Sequence, residues 1–249
     1  MTDMSPAAPA SRALFETSRK DGWWIGPLLT GFGLLAFVVY TTWAGLLGNN
    51  YKWGPYLSPL YSPEFLFNWW PFSPAIFVLW APAGFRVTCY YYRKAYYRAF
   101  FMTPVACAVG ARPQNYKGER AVLIFQNLHR FFLYTALALV VILSWDAVES
   151  FIWNGKFGVG VGSIVLTLNA VFIAAFTFGC NSFRHLVGGN ANCFSCSAVN
   201  RARHKTWKFS SFFNGHHMGW AWISLFWVGF TDLYVRLVAM GVITDLRIL

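Results

Sequence analysis

The sequence predicts an all-α integral membrane protein, a bundle of about five transmembrane helices, from its composition and its apolar stretches. Hydrophobic residues make up 57% of the 249 residues, whereas charged residues make up 12%. Because charged residues form about a quarter of an ordinary globular chain, this chain has too few to cover a water-exposed surface. Five stretches are also apolar over roughly 20 residues or more, the length at which a helix crosses the hydrocarbon core.

The predicted spans are helices because only a helix satisfies its own backbone polar groups in lipid. They run over residues 24–47, 71–92, 122–148, 161–183 and 218–243. Pro74 and Pro82 lie inside the second span and predict a kink there. Residues 23–249 form one transmembrane domain in this prediction, with a cytoplasmic Cys- and His-rich loop at 180–217.

The first 22 residues are predicted to be a cytoplasmic amino-terminal tail. Asp3, Glu16 and Asp21 lie there among small polar residues. The apolar run that follows is longer than the hydrophobic region of a signal peptide. We therefore expect the segment to be retained.

The distribution of lysine and arginine predicts the orientation of the chain. These residues concentrate in the tail and in the loops after the second and fourth spans, as Arg12, Arg19, Lys20, Arg93, Lys94, Arg98, Arg112, Lys117, Arg120, Arg184, Arg201, Arg203, Lys205 and Lys208. The opposite loops contain Lys52, Lys156 and Arg247. The positive-inside rule places the amino terminus inside and the carboxyl terminus outside a plasma membrane. This orientation also explains the net charge of +11, so we expect lipid and no nucleic acid as a partner.

The segment from 180 to 217 gathers three cysteines and four histidines. Cys193 and Cys196 form a C-x-x-C motif in a polar loop on the reducing side of the membrane, which favours metal ligation over a disulfide. Cys89, Cys107 and Cys180 are interpreted singly as small hydrophobic residues. Whether Cys180 replaces one thiol of the C-x-x-C motif is left open.

The predicted metal ligands are Cys193, Cys196, His185 and one of His216 and His217. Adjacent residues point about 100° apart on a helix, so one of the two neighbouring histidines is expected to ligate. Two cysteines with two histidines suit tetrahedral zinc. They equally suit a Rieske-type [2Fe-2S] centre, in which two cysteines hold one iron and two histidines the other. The C-x-H and C-x-x-H spacing that is usual for Rieske proteins is absent here, so ligand type alone supports the cluster.

The distribution of histidine limits how the chain could bind haem. The first two predicted spans contain no histidine, which excludes a pair of haems each held by two helical histidines. A single haem b bridged by His129 and another histidine remains an alternative. His129 lies early in the third span, on the predicted cytoplasmic half of the membrane.

The second half of the chain resembles a known family. The runs FRHLVGG, CFSC and FFNGHHMGWAWISLFWVGFTDLYVRLVAMGVITD resemble the membrane-anchor subunit of an actinobacterial-type succinate dehydrogenase, respiratory complex II. The resemblance is most specific over residues 179–245. It implies a flavoprotein subunit that oxidises succinate and an iron–sulfur subunit docked on the cytoplasmic face. Electrons would then pass to membrane quinone, for which menaquinone is the expected species, and in this context a [2Fe-2S] centre explains the ligands better than zinc.

A quinone site is expected near the metal centre because the electron leaves the centre there. Its predicted residues are Trp220, His129, Arg86 and Arg130, which supply an aromatic wall and donors for the carbonyl oxygens. For both arginines, snorkelling to lipid headgroups is the alternative. The competing function from another class is a non-redox scaffold or transporter with a structural zinc site.

Overall fold

The computed structural model describes residues 13–67, 69–110 and 122–249. Residues 1–12 of the tail predicted over 1–22 lie outside the described residues. Four of the basic residues used for the orientation, Arg12, Arg112, Lys117 and Arg120, lie outside the described residues.

The described residues form a helical protein, which confirms the predicted fold class. The helices are α1 Ile25–Leu47, α2 Ile76–Thr88, α3 Tyr90–Phe100, α4 Val122–Glu149, α5 Val161–Phe178, α6 Asn181–Gly188, α7 Ala198–Gly215 and α8 His217–Ala239. Four of these, α1, α4, α5 and α8, are long and apolar enough to cross a membrane. They correspond to the first, third, fourth and fifth predicted spans.

The second predicted span is broken rather than kinked. Its apolar part, α2, has 13 residues and ends at Thr88. Cys89 is extended, with φ −62° and ψ 129°, and the aromatic and basic helix α3 begins directly after it. The fourth span breaks in the same way, because α5 ends at Phe178 and Cys180 is extended before α6. The segment predicted as a loop over 180–217 therefore contains α6 and α7.

Helix packing places the predicted cytoplasmic ends of several helices around one buried core. α4 packs against α5 and α2, α5 packs against α8, and α1 packs against α3. The buried cluster between them contains Phe85, Cys89, Tyr92, Phe176 and Cys180. The chemistry-bearing residues of α2, α4, α5 and α8 therefore meet at the end of the bundle that is predicted to be cytoplasmic.

Two small hairpins close the opposite end of the bundle. They are formed by β1 Lys52–Trp53 with β2 Tyr56–Leu57 and by β3 Ile152–Trp153 with β4 Lys156–Phe157. The ring of Trp153 lies 5.4 Å from that of Trp53 and 5.1 Å from that of Tyr56. Asp245 accepts hydrogen bonds from Tyr56 Oη at 2.8 Å and from the Gly162 N–H at 2.9 Å, which ties the carboxyl-terminal segment to the start of α5.

A buried ion pair joins α8 to α1 near this closed end. Arg236 Nε donates to Asp232 at 2.7 Å, and the side chains are 2% and 0% exposed. The same guanidinium donates to the carbonyls of Ala44 at 2.7 Å and Asn49 at 2.8 Å. The pair is neutral as a whole, which matters because an uncompensated charge in a span is expensive, and it satisfies carbonyls at the carboxyl end of α1.

Candidate metal centre and adjoining cavity

Two thiols and two imidazoles from different parts of the chain meet inside the bundle. His129 of α4 places Nε2 at 3.1 Å from the Sγ of Cys180, which precedes α6. His217, the first residue of α8, places Nε2 at 4.0 Å from the Sγ of Cys89, which precedes α3. Cys89, Cys180 and His129 are buried, and His217 is half-buried. We refer to these four side chains as the thiol–imidazole cluster.

The helix breaks place both thiols of the cluster. Each cysteine is extended and its carbonyl accepts the N–H of the arginine four residues later, Arg93 at 2.9 Å and Arg184 at 3.0 Å. Each sulfur therefore lies at the start of a new helix instead of on the wall of a continuous one. The Sγ of Cys180 also accepts the N–H of Ser182 at 3.4 Å. Amide dipoles at a helix start favour a thiolate, the form that binds metals.

Two buried phenylalanines hold the imidazoles. Phe85 stacks on His129 with ring centroids 4.6 Å apart and planes 7° from parallel. Phe176 stacks on His217 with ring centroids 4.9 Å apart and planes 12° from parallel. The two phenylalanines meet edge to face at 5.6 Å. Both imidazoles are therefore fixed in an apolar environment, where a metal centre has few competing water ligands.

The structure does not gather the ligand set predicted from the sequence. Cys193 and Cys196 are joined to each other as a disulfide, and His185 and His216 are exposed. The physical reason is that the segment between the motif and His216 is not a loop. It is the 18-residue helix α7, which at 1.5 Å per residue separates its two ends by roughly 27 Å. His217 alone among the five predicted ligands belongs to the thiol–imidazole cluster.

The thiol–imidazole cluster has the donor types of a binuclear Rieske-type centre. In the described part of the chain, no three His, Cys, Asp or Glu side chains are close enough to hold one metal ion. Two cysteines and two histidines are the donor set of a Rieske-type centre, which shares them between two irons. The Nδ1 of His217 is buried and has no hydrogen-bond partner among the described residues. A buried polar atom without a partner is costly, and it is the other ring nitrogen of His217, Nε2, that faces Cys89.

A signal for these residues was present in the sequence. Cys89, His129, Cys180 and His217 fall at the predicted cytoplasmic ends of the second, third, fourth and fifth spans, one in each. Side chains at one depth on neighbouring helices can converge although they are far apart in sequence. The metal ligands predicted from the sequence were instead chosen because they are close together along the chain, and so they included Cys193 and Cys196.

An apolar cavity of about 490 Å³ adjoins the cluster. It is lined by residues of α1, α2, α3, α4, α5 and α8, and Arg86 is the charged side chain in that lining. Phe85 and Phe176 also line the cavity, so one aromatic ring separates it from each imidazole. Arg86 donates to Ser224 Oγ at 3.0 Å and to the Ala221 carbonyl at 3.3 Å, and its guanidinium lies 4.8 Å above the Phe176 ring.

The residues predicted to bind quinone separate into two groups. Arg86 lines the cavity, and His129 lies directly behind Phe85. Arg130 is exposed on α4. Trp220 packs against Phe213, with ring centroids 5.9 Å apart, and is not part of the cavity lining. The structure therefore brings Arg86 and His129 to one place, but neither Arg130 nor Trp220.

The fold and the site define a multi-pass helical membrane protein with a buried thiol–imidazole cluster beside an apolar cavity. Residues 25–241 match the family model described as actinobacterial succinate dehydrogenase subunit SdhC. The chain belongs to that family, so the resemblance predicted from the sequence is confirmed and the protein is a multi-pass membrane subunit of succinate dehydrogenase.

A solved structure is similar over nearly the whole chain. It is a chain of the Mycobacterium smegmatis Sdh1 complex in the apo form, with 38% sequence identity and a TM-score of 0.84. The alignment covers 97% of this chain and 98% of the mycobacterial one. A comparison with curated proteins found no significant match.

Proposed function

We propose that this chain is the anchor and electron-transfer subunit of a succinate:quinone oxidoreductase and holds a Rieske-type [2Fe-2S] centre with Cys89, Cys180, His129 and His217. The observation that carries the proposal is the meeting of these four donors, from four separate segments, in one buried place. Such a centre, when bound, supplies one-electron transfer at a potential raised by its histidine ligands. This set replaces the ligands predicted around the C-x-x-C motif, of which His217 is retained.

The predicted cytoplasmic end supplies a surface for the catalytic subunits. Lys94 and Arg98 on α3 and Lys205 and Lys208 on α7 are exposed there. Basic residues in this position suit anionic headgroups or an acidic protein surface. Membership of the succinate dehydrogenase family and the similarity to a chain of the Sdh1 complex support a flavoprotein and an iron–sulfur subunit as partners. Electrons would enter the membrane subunit at this end, on the cytoplasmic side.

The apolar cavity suits the quinone. Its volume of about 490 Å³ falls within the roughly 300–1,000 Å³ of typical small-molecule sites, and its apolar lining suits an isoprenoid tail. Arg86 can donate to a quinone carbonyl oxygen, as predicted from the sequence, and lies over the ring that stacks on His217. An electron leaving the cluster would pass only one aromatic ring, that of Phe85 or Phe176, to reach a quinone in the cavity. Menaquinone is the quinone expected from the family.

The two alternatives predicted from the sequence have less support. A structural zinc at the C-x-x-C motif would need both of its thiols, and Cys193 and Cys196 are joined to each other as a disulfide. A haem b on His129 needs a free ring nitrogen facing an open space. Instead, Nδ1 of His129 lies 2.9 Å from Thr88 Oγ1, and Nε2 faces Cys180.

The neighbouring histidines at the start of α8 allow a matched experiment. His217 belongs to the cluster, whereas His216 is exposed beside it. In the purified complex, His217→Ala should remove the iron and acid-labile sulfide of one [2Fe-2S] cluster, and His216→Ala should remove neither. Loss in His216→Ala with full retention in His217→Ala would contradict the proposed ligand set. Zinc in place of iron in the wild-type complex would support the scaffold function instead.

A further inference from the structure

We propose that Thr88 is a positioning residue that fixes the tautomer of His129, so that His129 ligates through Nε2. The inference rests on the proposed function, because it concerns the centre that His129 would hold. Thr88 is the last residue of α2, immediately before the extended Cys89. Thr88 therefore contacts His129, one proposed ligand, and directly precedes Cys89, another proposed ligand, in the chain.

The hydrogen bonds of Thr88 determine which nitrogen of His129 carries the proton. Thr88 Oγ1 lies 2.7 Å from the Gly84 carbonyl oxygen and 2.9 Å from His129 Nδ1. A hydroxyl has one hydrogen to donate, and a carbonyl oxygen can only accept. Thr88 therefore donates to Gly84, and its oxygen is left to accept the hydrogen bond from Nδ1–H of His129.

The resulting tautomer leaves a lone pair on Nε2. That nitrogen faces the Sγ of Cys180 at 3.1 Å, which is the side of the imidazole where the other donors lie. Stacking on Phe85 holds the ring plane. The hydrogen bond to Thr88 therefore selects the orientation in which the lone pair of Nε2 points into the cluster.

Burial makes this hydrogen bond hard to replace. Thr88 is 4% exposed and His129 is 6% exposed, so water has little access to Nδ1. A metal-bound histidine whose other N–H is hydrogen-bonded is a more basic ligand. A more basic ligand favours the oxidised iron, so Thr88 is expected to lower the midpoint potential of the centre.

The first test removes the acceptor without changing the volume of the side chain. Thr88→Val should shift the midpoint potential of the imidazole-ligated centre to a more positive value. Redox titration of its electron paramagnetic resonance signal measures this shift. Thr88→Ser keeps the hydroxyl and should restore the wild-type potential. An unchanged potential in Thr88→Val with its full cluster content would overturn the proposal.

The second test uses the wild-type complex and so does not depend on the folding of a variant. The complex is prepared with histidine labelled with ¹⁵N at Nδ1 alone or at Nε2 alone, and the nitrogen couplings are measured by electron–nuclear double resonance. The proposal requires at least one strongly coupled Nε2. Two strongly coupled Nδ1 atoms would overturn it while leaving the proposed function intact. Absence of any imidazole-coupled signal would instead overturn the proposed function, and the inference with it.

Discussion

The Nε2 atom of His217 lies 4.0 Å from the Sγ of Cys89, although 128 residues separate them in the sequence. The contact exists because α2 ends at Thr88 and α8 begins at His217, so that both helix ends reach the same level of the bundle. The site therefore depends on where helices break and start.

Arg86 is expected to orient the quinone. Arg86→Gln should lower succinate:quinone reduction by roughly tenfold to a hundredfold, because a hydrogen bond from a charged group contributes about 1.5–3 kcal/mol. Succinate oxidation with an artificial acceptor and the signal of the centre should stay unchanged. Arg130→Gln, at an exposed position on α4, serves as the control and should have little effect. Equal losses in both variants would exclude a specific role for Arg86.

The cavity can be tested with two adjacent valines of α1. Val38 and Val39 are 56% and 60% exposed, but Val38 lines the cavity and Val39 does not. Val38→Trp should fill part of the cavity and raise the KM for quinone, whereas Val39→Trp should leave it near the wild-type value. Steady-state kinetics with a long-tailed and a short-tailed quinone measure this. The same KM in both variants would place the quinone elsewhere.

The buried ion pair between Asp232 and Arg236 is expected to stabilise the bundle. Asp232→Asn should cost about 3–5 kcal/mol of stability, because it leaves a buried guanidinium without its counter-charge. Thermal denaturation of the detergent-solubilised complex measures the loss. The matched control is the pair of the exposed Lys52 and the half-buried Glu64, joined at 2.9 Å, where Lys52→Met should cost less than about 1 kcal/mol. Similar losses in both variants would contradict the role assigned to the buried pair.

The orientation of the chain remains a prediction from its charges. A reporter fused after Leu249 should lie outside the cytoplasm, and one inserted near Gly118 should lie inside, because lysine and arginine accumulate on the inner side. Activity of a phosphatase reporter and fluorescence of a cytoplasmic reporter distinguish the two sides. The reverse pattern would move the docking surface and the cluster to the outer face.

The sequence predicted the spanning helices well because apolar length is a local property of the chain. The pair of Asp232 and Arg236 is local in the same sense, since residues four apart on a helix share one face. The breaks at Cys89 and Cys180 were missed because a thiol looks like any small apolar residue within a hydrophobic run. The cluster depends on contacts between helices, which spacing along the chain does not reveal.

The central claim is that a Rieske-type centre is held by residues at the helix ends and not by the C-x-x-C motif. The most direct measurement is the electron paramagnetic resonance spectrum of the reduced complex in two matched variants, Cys180→Ser and Cys193→Ser. We predict that the signal with the low average g of an imidazole-ligated cluster is lost in Cys180→Ser and retained in Cys193→Ser. Retention in Cys180→Ser together with loss in Cys193→Ser would contradict the claim and return the centre to the segment between α6 and α7.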